Sequence, residues 1–179
     1  MFNKTDYNFI GKHGECISKL TSVIDGSRNF SIFQRNIDVL FIAPIVGYLY
    51  NRLEDRDINN SDNDENKKIN FQQLSTNKDI LNFNYSLIML LHDKSKVDLD
   101  ERINRAFRYA DGTSEKEECE KIYEKYILGG ISVLKEKLLD NATTVDDYMS
   151  NMYSFISECN DRMEKENIDL DLNKLFGNQ

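Results

Sequence analysis

The sequence predicts a single all-α domain of about six helices that spans residues 1–179. The chain is 40% hydrophobic and 30% charged, and it contains one proline, Pro44, and no tryptophan. Apolar residues recur every three or four positions over several long stretches, which is the spacing of one face of a helix. Folds built from many short strands need more turn residues than this chain contains. Its length suits one domain with a full hydrophobic core.

The N-terminal part of the chain is predicted to be an irregular segment followed by a short helix. Residues 1–14 mix polar, aromatic and glycine residues without a helical period. Apolar side chains then recur at helical spacing over Glu15–Ile24. Asp25-Gly26 follows, and glycine is the usual residue just past a helix C-terminus, so we expect the helix to end there.

The next segment, Ser31–Glu54, is the most apolar part of the chain. Its apolar residues extend nearly all round the helix, which is typical of a central helix that is buried on every side. Pro44 removes one backbone hydrogen bond, so it is expected to kink this helix or split it in two. Gly47 leaves room for a neighbouring element to come close.

A polar stretch separates this central helix from the next apolar segment. Residues 56–70 are rich in asparagine and aspartate, which predicts a mobile surface loop. The glycine and the terminal glutamate of a calcium loop are missing, so no metal is expected there. Thr76 and Asp79 form the pattern of a capping box and predict a helix over Asn77–His92. A shorter helix is predicted over Leu99–Ala110.

The long helix around Ile122–Leu139 is expected to organise the rest of the fold. Thr113 or Ser114 is placed to cap its N-terminus. Its centre holds Gly129-Gly130, although a glycine in a helix interior costs roughly 1 kcal/mol relative to alanine. Two interpretations remain open. A tight crossing with another helix is favoured, and exposure of the backbone to a partner or ligand is the alternative.

The C-terminal part of the chain is predicted to be a helix followed by an acidic tail over residues 165–179. Thr144 and Asp147 form a second capping box, and the helix is expected to reach Met163. Five of its residues are expected to be buried: Met149, Met152, Phe155, Ile156 and Cys159. Residues 140–179 hold nine acidic and three basic residues, so −6 of the net charge of −8 lies there.

Charge and composition disfavour several classes of function. An acidic surface repels phosphate backbones, so it suits solubility or the docking of a basic partner better than general nucleic-acid binding. No apolar run is long enough to cross a membrane and no signal peptide is evident, which predicts a cytoplasmic location. Cys16, Cys119 and Cys159 are expected to be free thiols. No metal-site, cofactor-site or nucleophile–base pattern is present.

A basic ridge offers one alternative function. Arg102, Arg105 and Arg108 follow each other at three-residue steps on the predicted Leu99–Ala110 helix. The ridge would hold the phosphates of a nucleic acid, together with two lysines: Lys94 and Lys96. Arginines in such a row more often pair with nearby acids on a solvated face.

A histidine offers another alternative. His92 precedes Asp93, so a small enzyme could use it as an acid or base with this carboxylate or with a tyrosine. A histidine at the C-terminal end of a helix is more commonly placed there by the helix dipole. The enzyme hypothesis requires a concave pocket around His92 with convergent polar groups.

Two stretches of the chain resemble a known family. They are FSIFQRNIDVLFIAPIVGYLYNR at Phe30–Arg52 and IYEKYILGGISVLKEKL at Ile122–Leu138. Both their order and their separation are similar to those of small helical proteins encoded beside bacterial DNA phosphorothioation (Dnd) systems. The resemblance implies a non-catalytic accessory or adaptor subunit of a defence or DNA-modification complex, docked to a larger protein subunit. It also implies structural roles for four residues: Gly47, Tyr126, Gly129 and Gly130. Together with the basic ridge, these four are the candidate interaction residues of the chain.

Overall fold

The computed structural model describes residues 5–27, 29–57 and 67–167. Over these ranges the chain is helical with one small two-stranded sheet, which confirms the predicted all-α class. The elements are β1 Tyr7–Asn8, α1 Gly11–Leu20, α2 Asn36–Leu49, β2 Lys68–Ile69, α3 Phe71–Thr76, α4 Lys78–Leu91, α5 Leu99–Ile103, α6 Ser114–Leu138 and α7 Val145–Asn167. A π-helical turn, Asn104–Arg108, continues α5. None of the described helices has the length and apolar character of a membrane span.

The centre of the fold is the packing of α2 against α6. As its apolar character predicts, α2 is buried on most sides, and it remains one continuous helix through Pro44 instead of splitting. Fully burying an aliphatic or aromatic side chain stabilises a fold by about 1.5–3 kcal/mol, so this pair of helices supplies much of the core. The most buried side chains of the pair are Ile37, Val39, Leu40, Ala43, Tyr123, Ile127, Ile131 and Leu134.

Three glycines make the contact between α2 and α6 unusually close. A Cβ atom at Gly130 would overlap the carbonyl oxygen of Ala43, and one at Gly47 would overlap the carbonyl oxygen of Tyr126. A Cβ atom at Gly129 would overlap the carbonyl oxygen of Arg52, which lies just past the end of α2. The predicted tight crossing is therefore confirmed. All three glycines are buried, so the alternative of a backbone exposed to a partner is wrong.

The N-terminal segment is more ordered than the sequence predicts. Residues 1–14 were expected to be irregular, but Tyr7–Asn8 forms β1 and the first helix starts at Gly11 instead of Glu15. Gly11 has a φ of +56°, which glycine adopts easily. The backbone N–H of Lys12 donates to Asp57 Oδ2 at 3.2 Å. This helix start therefore depends on a carboxylate far away in the sequence.

The predicted 56–70 loop is only partly a loop. Residues 58–66 lie outside the described residues, while Lys68–Ile69 forms β2 and pairs antiparallel with β1. Ile69 is fully buried, so its side chain joins the core. The two strands pair residues that lie about 60 positions apart in the chain. The local composition of the polar stretch does not reveal such a contact.

The helix caps show where local patterns succeed and where they fail. Thr113 accepts a hydrogen bond from the Lys116 N–H at 3.3 Å and caps α6 as predicted. Thr144 and Asp147 form the predicted capping box at the start of α7. The capping box predicted for Thr76 is wrong, because Thr76 ends α3 and Asn77 precedes α4 without a side-chain cap.

Candidate functional site

The last helix, α7, is fixed to the body of the protein by one of its faces. The ring of Phe155 stacks on that of Tyr50 with centroids 6.2 Å apart, and Met152 packs against the core. The guanidinium of Arg162 lies over the Tyr50 ring at 3.9 Å and donates to the carbonyl oxygen of Leu49. These contacts set the rotation of α7 about its own axis.

An adjoining face of α7 is also apolar, and it is uncovered. The exposed fractions of its large side chains are 52% for Met149, 79% for Tyr153, 64% for Ile156 and 44% for Met163. Met149 and Ile156 were predicted to be buried, and that prediction is wrong. The inner contacts around Tyr50 turn these two residues outward. Contiguous exposed apolar residues on a protein surface mark interaction sites.

The spacing of these residues is that of a coiled-coil seam. Met149, Tyr153, Ile156, Asn160 and Met163 follow each other at steps of four, three, four and three residues. We call these five residues the outer stripe. A heptad repeat places apolar residues at its a and d positions, and a single asparagine at an a position is a known way of fixing register. The signal is present in the sequence, but it overlaps with the inner apolar face.

The charges that adjoin the outer stripe are acidic. Asp146 and Glu164 are exposed along one edge of the stripe, while Asp161 and Lys165 lie farther round the helix. Asn160 donates to Glu164 Oε1 at 3.0 Å, so one of these carboxylates is held against the stripe. The result is an apolar seam with an acidic border.

Two further carboxylates of α7 are committed to internal contacts. Hydrogen bonds from the backbone N–H groups of Thr143 and Thr144 lower the pKa of Asp147 to about 2. The hydrogen bond from the Lys137 ammonium lowers the pKa of Glu158 to about 2. Both groups are therefore ionised near neutral pH, and they stabilise the start of α7 and its attachment to α6.

The predicted basic ridge does not form a free row of arginines. Arg102 donates to the carbonyl oxygen of Leu90 at 2.8 Å, and Arg105 pairs with Glu101 at 2.9 Å. Arg108, which is exposed, donates to the side-chain oxygen of Asn104. Arg102 therefore ties α5 to α4, while Arg105 pairs with an acid one turn away, as the interpretation of paired charges expects for it. Arg102 and Arg105 are therefore engaged within the chain.

His92 contacts a tyrosine and an acid at the end of α4. Its Nδ1 lies 3.0 Å from the hydroxyl oxygen of Tyr126, and its Nε2 lies 3.5 Å from Asp93 Oδ2. Burial lowers the pKa of His92. A cleft of about 150 Å³ between α3, α4 and α6 is lined by Tyr85 and Tyr123 and does not include His92. The contacts therefore fit a structural role at the end of α4.

A largely buried carboxylate, Glu54, forms a charged cluster that the sequence did not predict. Its oxygens accept hydrogen bonds from four side chains at 2.6 to 3.1 Å: Lys12, His13, Arg52 and Ser132. Burial alone would raise its pKa, but these donors outweigh burial and lower the pKa of Glu54 to about 2. Burial also lowers the pKa of His13.

The Glu54 cluster joins three parts of the fold. It links α1, the segment after α2 and the centre of α6. The hydroxyl of Ser132 donates to Glu54 and not to His13, so no nucleophile–base pair is formed. Both carboxylate oxygens are already occupied by donors.

Tyr126, a predicted interaction residue, is buried. It belongs to α6, and its ring contacts that of Tyr48 in α2.

The described residues provide no arrangement typical of a metal centre. No group of three or more histidine, cysteine, aspartate or glutamate side chains in the ranges 5–27, 29–57 and 67–167 is placed to hold an ion. Cys16, Cys119 and Cys159 are free thiols, as predicted. Comparisons of the chain with protein-family models, with curated proteins and with solved structures find no match.

Proposed function

We propose that the chain is a non-catalytic adaptor subunit that is held in a larger protein assembly through the outer stripe of α7. The uncovered seam on this helix is the observation that carries the proposal. Four large apolar side chains lie in one row on a helix whose other face is fixed to the core. Insertion of such a helix face into the groove of a partner is a common mode of recognition.

The kind of assembly is suggested by the resemblance of Phe30–Arg52 and Ile122–Leu138 to accessory proteins of DNA phosphorothioation loci. The assembly would be a prokaryotic defence or DNA-modification complex, and the partner a larger subunit of it. Contact with DNA would be made by that partner, because the net charge of this chain is −8 and Arg102 and Arg105 are engaged within the chain. The internal bonding of Glu54 and His92 supports a role without catalysis.

The test is co-purification of the tagged chain with the products of its neighbouring genes. Wild type is compared with Ile156→Glu, which places a charge in the middle of the outer stripe. Val23→Glu is the matched control, since Val23 is an equally apolar side chain with an exposed fraction of 56% outside α7. We expect a stoichiometric partner with wild type and with Val23→Glu, and its loss with Ile156→Glu.

Two results would contradict the proposal. One is a partner that remains bound to Ile156→Glu as tightly as to wild type. The other is a wild-type chain that purifies as a monomer and retains none of the neighbouring gene products at low salt. Circular dichroism spectra and melting curves of both variants establish that they are folded before the comparison is made.

A further inference from the structure

We infer that the outer stripe of α7 receives an amphipathic helix of the partner whose charged residues are basic and which carries a polar side chain opposite Asn160. This inference rests on the proposed function and names the chemistry of the element that binds. It follows from the spacing of the stripe, from the charges along its border and from the position of one amide in an otherwise apolar row.

The spacing fits a helix better than a strand or a loop. Steps of four, three, four and three residues place the five side chains on one line along α7. Side chains arranged in this way receive the knobs of a second helix that crosses at a shallow angle. The stripe is about 21 Å long, since a helix rises by 1.5 Å per residue. Two heptads of a partner helix therefore cover it.

The charges that adjoin the outer stripe indicate which kind of partner helix binds there. Among the described residues, the exposed charged side chains that adjoin the stripe are two acids, Asp146 and Glu164. A second copy of the chain would bring the same acids to the contact, and each copy carries a net charge of −8. A standard interface uses roughly 20–30 residues on each side, and five residues do not offset that repulsion. A helix with lysine or arginine along its edges turns the repulsion into attraction.

The amide of Asn160 adds a requirement on the partner. An apolar residue facing it would bury its oxygen without a hydrogen-bond donor, and an unsatisfied buried polar group weakens a contact. A polar residue at that position of the partner satisfies the amide and fixes the register of the two helices. The acidic border would then favour binding of a basic helix, and Asn160 would select one alignment of it.

The experiment uses the full chain and two synthetic helical peptides. Both peptides carry the same two heptads of isoleucine and leucine with one asparagine at an a position. The flanking positions are lysine in the basic peptide and glutamate in its acidic twin. Binding is measured by fluorescence anisotropy at low salt and at high salt. We expect the basic peptide to bind at least ~10-fold more tightly than the acidic twin, with the difference shrinking as salt screens the charges.

Two substitutions test whether the basic peptide binds at the outer stripe. Ile156→Glu is expected to lose the basic peptide, while Val23→Glu keeps wild-type affinity. Equal binding of both peptides, or binding of neither, would overturn the inference. Sedimentation that shows a dimer of wild type but not of Ile156→Glu would assign the stripe to a second copy. If the basic peptide bound only after removal of residues 168–179, the outer stripe would be assigned to that segment of the chain.

The two proposals fail in different ways. If neither peptide binds but Ile156→Glu still loses the co-purified partner, the chain is an adaptor and the inferred chemistry of the partner helix is wrong. If the basic peptide binds at the stripe but the native partner is retained by Ile156→Glu, the proposed docking through α7 is wrong. A melting curve of Ile156→Glu like that of wild type excludes unfolding as the cause in either case.

Discussion

The carbonyl oxygen of Ala43 occupies the position that a side-chain carbon at Gly130 would need. The backbones of α2 and α6 therefore touch at this point. The helix interior keeps a glycine there at a cost of roughly 1 kcal/mol in helix propensity. The close contact lets the two most buried helices of the fold share one core.

The first prediction concerns this contact. Gly130→Ala is expected to lower the free energy of unfolding by about 2 kcal/mol or more, because overpacking against a backbone atom outweighs the gain in helix propensity. Urea denaturation measures the change. Gly26→Ala is the matched control, since a Cβ atom at Gly26 would meet nothing within 4 Å. A Gly130→Ala protein as stable as wild type would show that α2 and α6 can separate without loss.

Local signals in the sequence predicted much of this fold. The paired glycines predicted the tight crossing because their cost is visible within one helix. Thr113 and the Thr144–Asp147 pair predicted helix starts, because a cap and the helix that it begins are neighbours in the chain. The start of α1 was missed because its capping carboxylate, Asp57, lies far along the chain. A contact between residues so far apart in the chain leaves no local pattern in the sequence.

The outer stripe was missed for a different reason. Apolar residues occupy two faces of α7, and a helical period alone does not say which face meets the core. Phe155 and Ile156 are neighbours in sequence and lie on different faces. The choice is made by Tyr50, which directly follows α2, and by Lys137 of α6, because both contact the inner face. Identifying the exposed face of α7 therefore required the tertiary contacts, although the heptad spacing itself is visible in the sequence.

The second prediction concerns the Glu54 cluster. Glu54→Gln is expected to lower the free energy of unfolding by about 1–2 kcal/mol, because a neutral amide accepts weaker hydrogen bonds than a carboxylate from the donors around it. The Glu54 side chain is 10% exposed and bonds to Lys12 and Arg52. Glu136→Gln is the control, since its exposed pair with Arg52 contributes little. Equal stability of the two variants would contradict a structural role for the cluster.

The third prediction concerns the dependence of stability on pH. The pKa of Glu54 is about 2 in the folded chain and near 4.5 in the unfolded chain, so the unfolded state binds more protons between these values. The stabilisation is complete above pH 4.5 and is lost as the pH falls towards 2. His13 acts in the same direction from pH 6.5 downwards, because burial lowers its pKa in the folded state.

Urea denaturation at a series of pH values measures this dependence. Wild type is expected to lose stability steadily from pH 7 to pH 3, and the part of the loss below pH 4.5 is expected to shrink in Glu54→Gln. Other folded-state carboxylates also contribute below that pH, including Asp147, whose pKa is about 2. An unchanged slope below pH 4.5 in Glu54→Gln would show that Glu54 titrates alike in the folded and unfolded chain.

The last prediction separates the two faces of α7. Ile156→Glu is expected to change the free energy of unfolding by less than about 0.5 kcal/mol, since substitutions on an exposed surface rarely cost more. Phe155→Ala is expected to cost about 2 kcal/mol, because it removes a half-buried ring stacked on Tyr50. Urea denaturation of the two variants measures the contrast. A large loss of stability in Ile156→Glu would mean that the outer stripe packs within the chain, and it would no longer be available to a partner.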